Sequence, residues 1–143
     1  YIPNGVIIPE SEFKPDFIRN FGLDRKGYIL FAARLEPEKG CHTLIKAYKK
    51  AIEETGSDLK LAIAGHEGFS VDYYNRLLGE KSDRIKFLGY VDSHENLAEL
   101  FDNAYAFVLP SSVEGMSNSL LNAMAYAVPS VISDIPENLA LFE

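Results

Sequence analysis

Arg34, Lys39 and Glu114 are the residues of this sequence whose types could do chemistry together, and Glu114 lies in a run of small polar residues, Pro110 to Ser119. An apolar run, Tyr105 to Leu109, leads into that segment and reads as a buried strand. Pro110 ends the strand. After Ser117 the apolar spacing changes to Leu120, Leu121, Met124 and Ala125, which is one face of a helix. At such a helix start, backbone N–H groups and the positive end of the dipole converge on one point and suit an anion. Glu114 can accept hydrogen bonds from hydroxyls in the same loop. An anion site beside a hydroxyl reader points to a phosphorylated sugar or a nucleotide sugar.

The elements that must hold these residues follow from periodicity. Tyr28 to Ala33 is a continuous apolar run of strand length. A polar loop, Arg34 to Gly40, leads to a helix over Cys41 to Glu54, stopped by Gly56. Leu59 to Ala64 reads as a strand closing on Gly65-His66-Glu67-Gly68, Val71 to Leu78 as a helix, and Ile85 to Leu88 as a short strand ending at Gly89-Tyr90-Val91. Asp92 with Glu95 resembles a capping box opening a helix that carries Leu97, Leu100 and Phe101. Ser130 to Ser133 is a further strand, and Pro136 starts a helix. At the other end, Tyr1 to Ile8 reads as a strand broken by a Pro-Asn-Gly turn. Phe13, Phe17, Ile18 and Phe21 form a helical face that Pro15 limits to its later half.

Strands alternating with helices imply right-handed βαβ units and a parallel sheet. The expected fold is α/β, a doubly wound, mainly parallel, Rossmann-like sheet. Ligands of such sheets sit beyond the carboxyl ends of the strands, near the switch in strand order. Arg34, Lys39, Gly65, Tyr90 and Glu114 all fall in loops at those ends.

At 143 residues the chain is one domain by size. A hydrophobic content of 47% fits a globular core. The net charge of −7, with no basic stripe, argues against nucleic acid and against electrostatic docking on anionic lipid. No apolar run approaches the roughly 20 residues of a membrane span. The single Cys excludes an internal disulfide, and no His, Asp and Glu set has metal-ligand spacing. The cytoplasm is the default location, and the start without Met is what a fragment would show.

Three ordered segments resemble the nucleotide-binding half of a GT-B glycosyltransferase of the retaining family 4 group. Ile2-Pro3-Asn4-Gly5-Val6 is similar to the hinge where that half begins. Ala33-Arg34-Leu35-Glu36-Pro37-Glu38-Lys39-Gly40 resembles its G-R-L-x-x-x-K-G loop. Leu109 to Gly115, followed by Ala123 to Pro129, resembles its P-S-x-x-E-G and E-A-M-A-x-G-x-P signature. The resemblance implies that residues 1–143 form the donor-binding domain, with 1–8 as hinge and first strand, and that the acceptor-binding domain and the last elements are absent. The parent would then move a sugar from a nucleotide diphosphate, UDP or GDP, to a glycan, lipid or small-molecule acceptor, while the fragment alone binds donor without transferring it. It also implies roles. Arg34 and Lys39 hold the diphosphate, and Glu114 binds sugar hydroxyls. Gly115 with the backbone of Met116, Ser117, Asn118 and Ser119 meets the distal phosphate and sugar; Gly65, read apart from the resemblance, acts through its lack of a side chain rather than as a mere turn. Tyr90 and Val91 lie along the base. No metal or other cofactor is expected, and membrane contact would come only from the missing half, at the inner face.

Three positions depart from that pattern. Asn122 stands where the family's second carboxylate reads ribose, with Asn118 one turn earlier on the same face. Ala33 replaces a glycine whose absence could crowd the phosphates. Ala127 replaces a glycine at a helix end, where left-handed geometry would be strained. Two other readings stand beside the enzyme: a non-catalytic nucleotide-binding module, motivated by Asn122, and a flavodoxin-like receiver, which would want acidic residues where Arg34 stands. His66 reads first as a polar loop residue, Cys41 as a small buried hydrophobe, and His42 and His94 as surface residues at helix starts.

Overall fold

A computed structural model describes residues 5–6 and 16–141. The strand and hinge expected over residues 1–8 lie outside the described residues except for Gly5 and Val6, as do Phe13 and Pro15. The elements run α1 (Asp16–Arg19), β1 (Tyr28–Ala32), a 3-10 turn (Pro37–Lys39), α2 (Cys41–Thr55), β2 (Lys60–Ala64), α3 (Val71–Leu78), β3 (Ile85–Gly89), α4 (His94–Asp102), β4 (Ala106–Leu109), α5 (Asn118–Ala125), β5 (Ser130–Ile132) and α6 (Pro136–Leu139). The strands form one parallel sheet in the order β3-β2-β1-β4-β5.

Period-2 alternation divides the strand side chains between two cores. Tyr28, Leu30, Ala32, Ala62, Phe107 and Leu109 pack on one face with Ile18 of α1, Leu100 and Phe101 of α4, and Leu120 and Ala123 of α5. Phe31, Leu61 and Ile63 pack on the other with Leu44, Ile45 and Tyr48 of α2 and Tyr73 and Leu77 of α3. Burying each of the larger aliphatic and Phe side chains contributes about 1.5–3 kcal/mol, so both helical layers are needed to cover the sheet. That is the doubly wound arrangement the apolar strand runs predict.

The chain winds outward from β1 through β2 to β3, then returns to place β4 on the opposite side of β1. The crevice between β1 and β4 is therefore the switch point, and the loops that face it are 33–40 and 110–117.

Boundary differences have local causes. The α4 cap is Ser93, whose side chain accepts from Asn96 N–H, in place of the Asp92–Glu95 box; the hydroxyl sits one residue nearer the first turn. Tyr105 lies just before β4, although its N–H donates to the Tyr28 carbonyl at 2.9 Å. Ala127 has φ of +50° and closes α5 with bonds from Ala127 N to Met124 O and from Val128 N to Ala123 O. This is the left-handed helix ending expected there, taken up by a residue with a Cβ. Ala33 is half-buried against the α2 core, so its methyl packs inward.

Candidate functional site

Two loops meet at the switch point because a glycine lets them. Gly40 has φ of +72°, and a Cβ there would lie 2.4 Å from the Pro110 carbonyl oxygen. Beside it, Ser112 N–H donates to the Glu38 carbonyl at 2.8 Å. The 3-10 turn started by Pro37 ends on Lys39 and aims its side chain across the crevice. Lys39 Nζ lies 2.8 Å from Glu114 Oε2 and donates to the Val113 carbonyl at 3.2 Å. The Glu114 side chain is only 7% exposed. A carboxylate this buried needs polar partners, and besides Lys39 it has Ser111 Oγ, which donates to Oε1 at 2.5 Å.

Ser111 is itself held from behind. Ser133 Oγ, just after β5, donates to the Ser111 carbonyl at 2.5 Å. Asn138 of α6 donates through Nδ2 to Ser133 Oγ at 3.1 Å and to the Ser133 carbonyl at 3.2 Å. Ser111 and Asn138 are buried, and Asn138 Oδ1 has no hydrogen-bond partner. A polar chain thus runs from α6 to Glu114. Sequence periodicity gives no sign of it, since Ser133 reads there as the last residue of a strand and in the structure lies just past β5.

Glu114 is followed by the start of α5. Ser117 caps the helix, its hydroxyl accepting from Leu120 N–H at 3.3 Å, so that side chain is committed to the fold. Gly115 faces open space, with nothing within 4 Å of a built Cβ. Asn118 is exposed, and Ser119 and Asn122 are half-buried on the first two turns. Met116 is half-buried beside the cap.

Arg34 departs from the Lys39–Glu114 pair. Its guanidinium carbon sits 5.9 Å from the ring centroid of Phe69, in the loop after β2. Arg34 therefore leans to the β2 side of β1 and Lys39 to the β4 side. The β2 loop is fixed by backbone and by one buried side chain. Gly65 N–H donates to the Gly89 carbonyl at 2.8 Å, and a Cβ on Gly65 would fall 2.0 Å from the Ala33 carbonyl oxygen. This close crossing of loops accounts for Gly65 without a ligand. Glu36, 5% exposed, accepts from Phe69 N–H, and Gly68 leaves the room that this carboxylate occupies. Glu36 and Phe69 were not legible as site residues, since neither belongs to a periodic pattern. The turn residues Pro37 and Gly68 beside them are the available signal.

Farther along the rim, Tyr90 is 69% exposed and meets His66 edge-on at 5.0 Å between ring centroids. Val91 turns its side chain to the core, leaving its backbone at the rim. His42, an exposed residue expected to be only surface, joins α2 to α3 through Nδ1 and Tyr73 Oη at 2.9 Å. Cys41 is fully buried and its thiol is pushed up to about 12 by desolvation, which is the opposite of an activated nucleophile. Among the described residues no three His, Cys, Asp or Glu side chains are grouped to hold a metal ion, and no helix is long and apolar enough to cross a membrane.

The arrangement is a buried cation–carboxylate pair at the switch point, a helix start beside it, and a second cation on an aromatic ring across β1. A family model described as glycosyl transferases group 1 matches residues 13–143. The chain is 33% identical over 120 residues to O-antigen chain mannosyltransferase B of Escherichia coli, covering 82% of this chain and 31% of that protein. It is 37% identical over 127 residues to an uncharacterized glycosyltransferase of Methanocaldococcus jannaschii, covering 87% and 32%. Among solved structures it superposes on the pneumococcal O-GlcNAc transferase GtfA in complex with UDP and GlcNAc, with a TM-score of 0.65 and 23% identity over 78% of this chain and 21% of that one. That last likeness is one of fold. The chain spans about a third of the length of the curated relatives it matches.

Proposed function

The chain belongs to the glycosyl transferases group 1 family, and from that premise we propose that it is the donor-binding domain of a retaining glycosyltransferase whose crevice between β1 and β4 takes the diphosphate of a nucleotide sugar. One observation carries the proposal: Lys39 Nζ and Glu114 Oε2 are 2.8 Å apart, in loops that meet beyond the carboxyl ends of adjacent strands, beside the start of α5.

The chemistry follows from placing charge on a departing diphosphate. As the bond between the sugar's C1 and the diphosphate oxygen breaks, negative charge grows on the leaving group. Lys39 and Arg34 approach it from opposite sides of β1, and the first turn of α5 adds its dipole. Fixed cations here do work that a metal ion does in other phosphate sites, so the domain acts without one. Ser111 turns Glu114 so that its outer oxygen, released from Lys39 by the incoming phosphate, accepts from the sugar hydroxyls. Gly115 and the Met116–Ser119 backbone allow the sugar to come close. Tyr90 and the Val91 backbone flank the base, and Asn118 with Asn122 meets the ribose. The acceptor's hydroxyl forms the new bond to C1 and gives its proton to the departing phosphate. That acceptor is held outside this chain, so the 143 residues bind donor without turning it over. UDP and GDP are the nucleotides proposed, UDP being present in the structurally similar O-GlcNAc transferase. The full protein works in the cytoplasm or at the inner membrane face.

The experiment is a thermal-shift screen of UDP, GDP and ADP. One of them should raise the melting temperature, and Lys39→Ala should abolish the rise. A wild-type chain indifferent to all three would sink the proposal.

Asn122 supports a second reading, a nucleotide-binding module without catalysis. An amide accepts a hydrogen bond about 1 kcal/mol weaker than a carboxylate does, or roughly fivefold in affinity. If the full-length protein is inactive and Asn122→Glu restores transfer, the second reading wins.

A further inference from the structure

Phe69 is 91% exposed, yet it is not loosely held. Its backbone N–H is bound by the buried carboxylate of Glu36, thirty-three residues earlier in sequence. The neighbouring Gly68 leaves room for that same carboxylate, which a Cβ there would force to shift. A single exposed apolar residue needs no explanation in general. A buried carboxylate and a glycine devoted to the backbone beneath it do. The ring carried on that anchored backbone lies under the guanidinium of Arg34, at 5.9 Å from ring centroid to Arg34 Cζ.

We infer that Phe69 is a positioning residue for Arg34, a platform that holds the guanidinium on the β2 side of the switch-point crevice while Glu36 anchors the platform; the inference rests on the donor-site reading above. An arginine loses side-chain freedom when it is fixed. A ring that already restricts the guanidinium lowers that cost before the diphosphate arrives. The quadrupole of the ring faces the cation and leaves the N–H edges free to meet phosphate oxygens. Lys39 reaches the same crevice from the other side, held by Glu114. The two cations are thus set by two independent supports, one ionic and one aromatic.

The test is calorimetric titration of the 143-residue chain with UDP and GDP, and with UMP and GMP as controls. Phe69→Leu, a surface change that keeps the apolar bulk, should weaken the diphosphate about two- to fivefold and leave the monophosphate unchanged. Phe69→Trp should bind the diphosphate as tightly as wild type or more so. In an Arg34→Ala background, Phe69→Leu should cost nothing further, because its effect passes through Arg34. Wild-type affinity in Phe69→Leu, or an equal loss with Arg34 already removed, overturns the inference while leaving the donor site intact. A wild-type chain that binds neither UDP nor GDP overturns both.

Discussion

At the residue scale, Glu114 shows how much a side chain's neighbours decide. In sequence it is a loop carboxylate. In the structure Ser111 holds one oxygen and Lys39 the other. If Glu114 reads the sugar, Ser111→Ala should weaken a nucleotide sugar by about tenfold to a hundredfold, the worth of one charge-assisted bond, and leave the bare nucleoside diphosphate unaffected. Paired calorimetric titrations of the two ligands check this, and an equal loss for both would place Glu114 on the phosphates instead. Ala127 gives a test free of ligand. It is exposed and sits at φ of +50°, where a Cβ costs about 1 kcal/mol. Ala127→Gly should therefore raise stability in urea by about that amount, since no burial is lost.

At the element scale, the site is a junction between turns, and its precision comes from what lies behind them. Asn138 on α6 fixes Ser133, and Ser133 fixes the Ser111 carbonyl. Ser133→Ala removes the donor from that carbonyl and should cost about 1–2 kcal/mol of stability, with Ser133→Thr recovering part of it. Urea melts of the two variants read the difference, and equal stability of wild type and Ser133→Ala would show that the chain of bonds is idle. Gly40 is the other fixed point of the junction. Its positive φ and the 2.4 Å approach of the Pro110 carbonyl leave no room for a side chain. Glycine at this place in the second motif thus serves to dock two loops, whatever else it does for a ligand.

At the scale of the whole molecule, burial of acidic hydroxyls and one thiol ties stability to alkaline pH. Desolvation raises the Cys41 thiol from 9.0 to about 12, and it also raises the phenols of Tyr28, Tyr48, Tyr73 and Tyr126. For each group the folded value is the higher one, so the unfolded chain ionises first. The stability from keeping them neutral is complete below about pH 9 and is lost as pH rises toward the folded values, by at most about 1.4 kcal/mol per group per pH unit. The melting temperature should fall steadily above pH 9, and Cys41→Val should flatten the first part of that fall. A melting temperature constant to pH 11 would contradict the burial of these groups.

The strands, the helices, their alternation and hence the doubly wound fold were legible in the sequence, because a period of two or 3.6 is a local property of the chain. Arg34, Lys39 and Glu114 could be placed at the rim for the same reason, since strand ends are local too. The order β3-β2-β1-β4-β5 was not local, and it decided that the loops after β1 and β4 would share a crevice. It joined Lys39 to Glu114 and turned Arg34 toward Phe69. It also brought Glu36, Ser133 and Asn138 into supporting positions that no spacing announces. Hydrogen bonds between residues far apart in the chain depend on how strands pair, and pairing is settled by burial of the whole sheet rather than by any one segment.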